Sequence, residues 1–288
     1  MATSTSLGRT HEIDVPGGRI RYHDTGEGPP VVFIHGLLVN ADLWRKVVPR
    51  IAAAGYRCLA PDLPLGSHEI PVPAADLTPT GVADLIAAFL ERMDLRDVTL
   101  IANDTGGAIT QILLARDRSR IGRVVLASVD NYERFLPPPL TVLPWLARIP
   151  GSVRPLTEAM RWRALHALPI GFGWVAKRPV PPEIADSYLL PSRRSAAIRK
   201  DLRRLLLTLN KRYTLEAARS FGEIEIPVLV VWAAEDKFFP VAGAERLVRD
   251  FPNATLRLIE DSYTFLPEDQ PELLGSTILE FTRLHATP

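Results

Sequence analysis

Leu100-Ile101-Ala102-Asn103-Asp104-Thr105-Gly106-Gly107-Ala108-Ile109-Thr110-Gln111 is the stretch on which the reading of this chain turns. An apolar, β-type run from Val98 to Ala102 breaks at Asn103-Asp104 and resumes after Gly106-Gly107 with helical periodicity. The pattern predicts a sharp strand-to-helix elbow followed by an amphipathic helix, with Asp104 at the apex. Small residues let helix and strand approach, the apical residue is held in a strained backbone conformation, and the next N–H points at whatever the apex meets. Here the apex carries a carboxylate.

Working outward, the same alternation recurs. Two alternating runs, 11–15 and 19–23, flank Pro16-Gly17-Gly18 and predict an edge hairpin. Val31-Val32-Phe33-Ile34 is apolar throughout, as a strand buried on both faces should be, and ends in His35-Gly36-Leu37-Leu38. A helix is expected over about 41–53, a strand over 57–60, a loop over 61–79 and a helix over about 80–93. The elbow helix should run to about 116 and the next strand over 123–128. Strands alternating with helices predict an α/β fold, a mostly parallel eight-stranded sheet flanked by helices. Ligands of such sheets bind beyond the carboxyl ends of the strands, which sets Leu37, Asp62, Asp104 and Asp130 along one edge.

From 132 to 221 the pattern changes. Pro137-Pro138-Pro139 opens a stretch with helical periodicity, repeated proline breaks and no strand signal. It reads as an inserted helical lid, with Phe135, Trp145, Leu168, Phe172, Trp174 and Tyr188 as its large apolar residues and Trp145, Phe172 and Trp174 facing a substrate. The core is then 10–131 and 222–286, with strands at 227–232 and 255–259 and helices over 241–251 and about 271–284.

Bulk composition bounds the function. The 288 residues are 47% hydrophobic, and 34 basic residues against 33 acidic ones leave a formal net charge of +1. That whole-chain balance gives no reason to expect a nucleic acid or an anionic membrane as partner; a small, mostly neutral ligand is expected. The single cysteine, Cys58, reads as a strand filler, and the absence of a signal-like start predicts a cytoplasmic location. Gly26-Glu27-Gly28 precedes a strand instead of opening a helix, and no metal-ligand spacing occurs, so chemistry without cofactor or metal is expected.

With His35-Gly36, the elbow, the lid after the sixth strand and Ala233-Ala234-Glu235-Asp236-Lys237-Phe238-Phe239-Pro240 after the seventh, the chain resembles the α/β-hydrolase superfamily from about 12 to 284. An elbow built on Asp and followed by two glycines is similar to that of the haloalkane dehalogenase and epoxide hydrolase branch, in which Asp attacks carbon to give an alkyl-enzyme ester. The resemblance implies that Asp104 is the nucleophile and that Leu37 and Thr105 supply backbone N–H groups to an oxyanion or leaving-group hole. It implies that Asp236 is the acid that orients a histidine, and that Asp130 stands where some dehalogenases keep an alternative acid.

Two positions depart from that pattern. Dehalogenases carry Asn and Trp where this chain has Leu37 and Thr105, so the side-chain halide clamp is missing. The general-base histidine is replaced: Asp261-Ser262-Tyr263-Thr264-Phe265 puts Thr264 in its place, where it is expected to face the substrate, and a hydroxyl is no base near neutral pH. Of the remaining histidines, His35 belongs to the oxyanion turn, and His68 and His166 are the two with a plausible reach to the pocket. If Asp104, Asp130 and Asp236 converge in an apolar pocket, repulsion and desolvation should raise at least one pKa. Three functions stay open: a hydrolase-fold enzyme with Asp104 as nucleophile or general base, a carboxylate acid/base enzyme such as a dehydratase, isomerase or cyclase, and a silent ligand-binding protein.

Overall fold

A computed structural model describes residues 5–285; residue 286, assigned to the core from sequence, lies outside them. Eight strands form one sheet: β1 (Arg9–Val15), β2 (Gly18–Thr25), β3 (Pro30–Ile34), β4 (Arg57–Pro61), β5 (Val98–Asp104), β6 (Ile121–Val129), β7 (Val228–Ala233) and β8 (Ala254–Ile259). Their order is β1-β2-β4-β3-β5-β6-β7-β8. The hairpin and its junction with β4 are antiparallel, and every other pairing is parallel. β5 and β7 are buried along their whole length, as strands covered on both faces must be.

The helices are α1 (Val48–Ala53), α2 (Pro79–Arg92), α3 (Thr105–Arg116), α4 (Leu143–Arg148), α5 (Val153–Ala159), α6 (Pro182–Arg194), α7 (Ala196–Leu206), α8 (Arg212–Ala218), α9 (Val241–Asp250), α10 (Leu266–Asp269) and α11 (Pro271–Leu284). Two local expectations are corrected. The helix expected over 41–53 is split into a 3-10 turn, Ala41–Trp44, and α1, because Asn40 caps the turn and Pro49 stands at the start of a new helix. The elbow helix α3 is not amphipathic: every residue from Thr105 to Leu114 is buried, since α2 and α8 pack on its outer side.

α4 to α7 lie over the carboxyl ends of the central strands and share a cavity with them. α8, expected in the insertion, instead packs on α3, and its Thr214 hydroxyl donates to the Tyr132 carbonyl at 2.6 Å, so the chain is back against the sheet layer by residue 212. The insertion is attached unequally. α6 and α7 are tied down by buried polar contacts: Asn40 Nδ2 to Ser187 Oγ (3.0 Å), Ser67 Oγ to the Tyr188 carbonyl (2.6 Å) and the Val72 N–H to Asp201 (2.8 Å). α4, α5 and the turn after them rest on apolar packing and on partly exposed ion pairs such as Arg163–Asp186 (3.2 Å) and Arg193–Glu158 (3.8 Å).

Candidate active site

Asp104 ends β5 and caps α3 with φ 54° and ψ −133°, a backbone conformation that costs a non-glycine residue about 1–3 kcal/mol and persists only where the surroundings impose it. They do: a Cβ on Gly36 would stand 2.1 Å from Asp104 Oδ2, and one on Gly107 would stand 2.1 Å from Val129 Cγ1. Only glycine at those two positions lets the β3 turn pass under the carboxylate and lets α3 lie against β6. The elbow expected from sequence is present, with its apical residue in the strained conformation.

The backbone N–H groups of Leu37 and Thr105 both donate to the Asp104 carboxylate. Burial outweighs them and pushes the carboxyl from its ordinary 3.8 up to about 7, and the charge of Asp236 adds to the rise. These opposing effects leave the carboxyl far less acidic than an ordinary aspartate.

The other two carboxylates sit beside Asp104 without facing the cavity. Asp130, fully buried after β6, accepts from Thr105 Oγ1 (2.9 Å) and the Leu136 N–H (3.0 Å), and burial followed by repulsion from Asp104 holds its carboxyl well above the ordinary value. Thr105 thus bridges two acids, its N–H on Asp104 and its hydroxyl on Asp130. Asp236, in the turn after β7, accepts through Oδ1 from the Phe238 and Phe239 N–H groups, both at 2.9 Å. Thr264 Oγ1 donates to the same oxygen at 2.9 Å, while Asp236 Oδ2 is buried without a hydrogen-bond partner among the described residues. Burial raises this carboxyl as well. Thr264 therefore hydrogen-bonds the acid, as an imidazole N–H would, but supplies no base.

Asn103, not singled out from sequence, holds the arrangement together. Its Nδ2 donates to the carbonyls of Ala127 (2.5 Å) and Thr264 (2.7 Å), joining β5, β6 and the turn after β8. An amide in the middle of an apolar strand is the signal that could have found it, because a buried side-chain amide needs partners.

A cavity of about 280 Å³ opens above the elbow. Its floor is Leu37, Leu38, Asp104, Thr105, Phe238 and Phe265, and its walls include Leu143 and Leu146 of α4, Leu156 of α5, Phe172, Leu189 of α6, and Leu202 and Leu206 of α7. Three wall hydroxyls are already committed: Thr105 to Asp130, Thr157 to the Arg154 carbonyl (3.0 Å) and Ser192 to the Leu189 carbonyl (3.2 Å). Asp104 is the one ionisable side chain in that wall. Of the three carboxylates only Asp104 reaches the cavity: backbone N–H groups of the turns that follow Asp130 and Asp236 draw those two side chains away from it.

Other expected residues are placed as follows. Phe172 lines the cavity; Trp145, at 65% exposure, faces solvent, and Trp174, which packs edge-on against Phe238, and Thr264, buried behind the floor, do not line it. Among the remaining large residues of the insertion, Leu168 is 43% exposed and Phe135 and Tyr188 are buried outside the wall. His35 pins the turn after β3, its Nδ1 donating to the Gly36 carbonyl and its Nε2 accepting from the Leu63 N–H, both at 2.9 Å. His68 is buried against Asp201 at 3.4 Å and His166 meets the Met160 carbonyl at 2.7 Å; neither lines the cavity. Asp62 is buried in an ion pair with Arg21 at 2.8 Å, and Lys237 stacks 4.3 Å from the Tyr263 ring centre instead of engaging the acids. Among the described residues no three His, Cys, Asp or Glu side chains are grouped to hold a metal ion.

Comparison with known proteins agrees with this fold. Over 150 residues the chain is 34% identical to haloalkane dehalogenase 1 of Mycobacterium tuberculosis, covering 50% of this chain and 48% of that protein. Over 126 residues it is 33% identical to the haloalkane dehalogenase of Mesorhizobium japonicum, covering 43% and 40%. The matches thus span about half, or less, of those relatives' length. In three dimensions it superposes on the haloalkane dehalogenase DatA from Agrobacterium tumefaciens with a TM-score of 0.81 at 22% identity, over 98% of this chain and 99% of that one. The epoxide hydrolase CorEH gives 0.79 at 19% identity, over 96% and 99%. At such identities the structural likeness is one of fold. Residues 31–275 match the profile of the alpha/beta hydrolase family, from the first buried strand to the last helix, and on that match the chain belongs to this family.

Proposed function

We infer that this chain is an enzyme in which Asp104 acts on a small, mostly apolar organic molecule held between the sheet edge and a helical lid. The observation that carries this reading is the isolation of Asp104: one ionisable group in an otherwise apolar wall, with two backbone N–H groups aimed at it. A substrate that fits is neutral, with a single polar or electrophilic end to set against the carboxylate, because the cavity wall offers no free hydroxyl elsewhere.

Attack by the Asp104 carboxylate on an electrophilic carbon, breaking that carbon's bond to a halide that departs as the anion or to an epoxide oxygen that then takes a proton from water, would leave an ester whose carbonyl oxygen the Leu37 and Thr105 N–H groups can hold. Hydrolysis of that ester needs a base for water, and Thr264 Oγ1 is engaged with Asp236. Transfer of a proton needs no second agent, and a carboxyl poised at about 7 in a dry site is suited to it. Acid/base chemistry on a neutral substrate, such as an elimination, isomerisation or cyclisation, is therefore the reading the site favours. Formation of an ester without turnover is the second reading, supported by the paired N–H groups.

Incubation with panels of epoxides, haloalkanes and esters, followed by intact-mass measurement, separates them. Product release without adduct, lost in Asp104→Asn, supports proton transfer; a stoichiometric adduct absent from Asp104→Asn supports attack without turnover. Neither adduct nor product, with a metabolite bound as tightly by Asp104→Asn as by the parent, overturns both and leaves a binding protein.

A further inference from the structure

Seven of the eleven large hydrophobic side chains that the described residues expose fall between 142 and 170: Val142, Trp145, Leu146, Ile149, Trp162, Leu168 and Ile170. Exposed apolar side chains scattered singly need no explanation, but this concentration in one short segment does. Val142, Leu146 and Ile170 also line the cavity, so the patch surrounds its mouth. Trp145 and Trp162, the most exposed aromatic residues of the segment at 65% and 58%, stand clear of it on the same insertion.

The charge on this segment is one-sided. It contains Arg148, Arg154, Arg161 and Arg163 against the single acid Glu158, so the rest of the chain is net acidic and the whole-chain balance conceals the local excess. Arg148 lies 4.1 Å from the Trp145 ring centre and Arg161 lies 5.2 Å from that of Trp162, each cation stacked on the aromatic it follows or precedes. Arg148, Arg154 and Arg161 are all exposed. Exposed tryptophan flanked by arginine, beside leucine and isoleucine, is the chemistry of a surface that sits at the boundary between phosphate headgroups and acyl chains.

We propose that the face formed by α4, α5 and the turn through Ile170 docks on an anionic phospholipid surface. The tryptophans and aliphatic residues enter the headgroup–acyl boundary, Arg148, Arg154 and Arg161 meet the phosphates while Arg163 stays paired with Asp186, and the cavity mouth opens toward the lipid. Charge complementarity selects this occupant over an apolar partner protein or a second copy of the chain, for which three exposed arginines outside any ion pair among the described residues, with Arg163 alone paired to Asp186, would be a liability. No helix among the described residues is long and apolar enough to cross a membrane, so the association is peripheral. It depends on the patch and stands apart from the chemistry of Asp104.

The test is flotation of the full chain with phosphatidylcholine vesicles prepared with and without phosphatidylglycerol, with tryptophan emission followed in parallel. Binding to the anionic vesicles alone is expected, with a blue shift and weakening as salt rises. Trp145→Ser with Trp162→Ser should lower partitioning by at least about tenfold, and Arg148→Ser by about fivefold. All three side chains are exposed, so the variants retain the parent's melting temperature. Absence of flotation with anionic vesicles, equal flotation with neutral ones, or flotation unchanged in these variants overturns the proposal. So does a dimer that the paired tryptophan substitutions dissociate while the parent ignores vesicles.

Discussion

Replacing Asp104 by asparagine should make the protein more stable, and only on one side of neutrality. Burial raises this carboxyl from 3.8 to about 7 in the folded chain, whereas the unfolded chain releases the proton near the ordinary value. The folded state binds that proton more tightly, so its contribution is complete below about pH 4 and is lost as pH climbs through about 7. The loss amounts to roughly 4 kcal/mol, at about 1.4 kcal/mol for each tenfold step in proton affinity. An asparagine carboxamide oxygen can accept from the same Leu37 and Thr105 N–H groups as the neutral carboxyl does, so the variant matches the protonated parent. The expected gain is therefore about 4 kcal/mol near pH 8, seen as a melting temperature about 7–10 °C above the parent. Near pH 4 the two proteins should melt together. Scanning calorimetry of parent and variant across this interval is the assay. A variant no more stable than the parent near pH 8, or one whose advantage is the same at both ends, would refute the claim that Asp104 is a desolvated charge held by the fold.

Three further outcomes follow from the same contacts. Thr264→His should set an imidazole N–H on Asp236 and clear any trapped Asp104 ester, at an overpacking cost of about 1–3 kcal/mol because Thr264 is fully buried; a time course of intact mass reads the clearance and chemical denaturation reads the cost. Thr105→Val removes the hydroxyl that Asp130 accepts from and should destabilise by about 1–3 kcal/mol in urea, while Thr105→Ser should restore most of that. Any Asp104-dependent reaction that uses the ionised carboxylate as base should rise with pH and level off above about 7, and a rate flat through that region would show that another group carries it.

The strand–helix alternation was readable because buried parallel strands are short apolar runs, and the elbow because Asn103-Asp104 and Gly106-Gly107 interrupt one of them. What the sequence could not convey was the direction in which each acid points. Asp104, Asp130 and Asp236 all follow strand ends, but the N–H groups of Leu136 and of Phe238 and Phe239 capture the last two within their own turns. Such local capture is a habit of aspartate in turns generally, indistinguishable in sequence from placement at a site. Trp145 failed for another reason: helical periodicity locates an apolar residue on a face, and only the packing of α4 decides that Leu143 and Ala147 are buried and Trp145 is not. Asp201, whose carboxylate binds the loop after β4, had no local signal, since its partner Val72 is far away in the chain.

The unequal attachment of the insertion gives the cavity one fixed wall and one compliant wall. Displacing α6 and α7 breaks buried hydrogen bonds at Asn40, Ser67 and Asp201, each worth about 1 kcal/mol or more. Displacing α4 and α5 breaks partly exposed pairs worth little, so local opening concentrates there. A ligand is thus measured against Leu189, Leu202 and Leu206 as against a ruler, while its bulk on the opposite side is accommodated by yielding. Discrimination among ligands accordingly falls on the end that lies along α6 and α7, and the range of shapes admitted falls to α4 and α5.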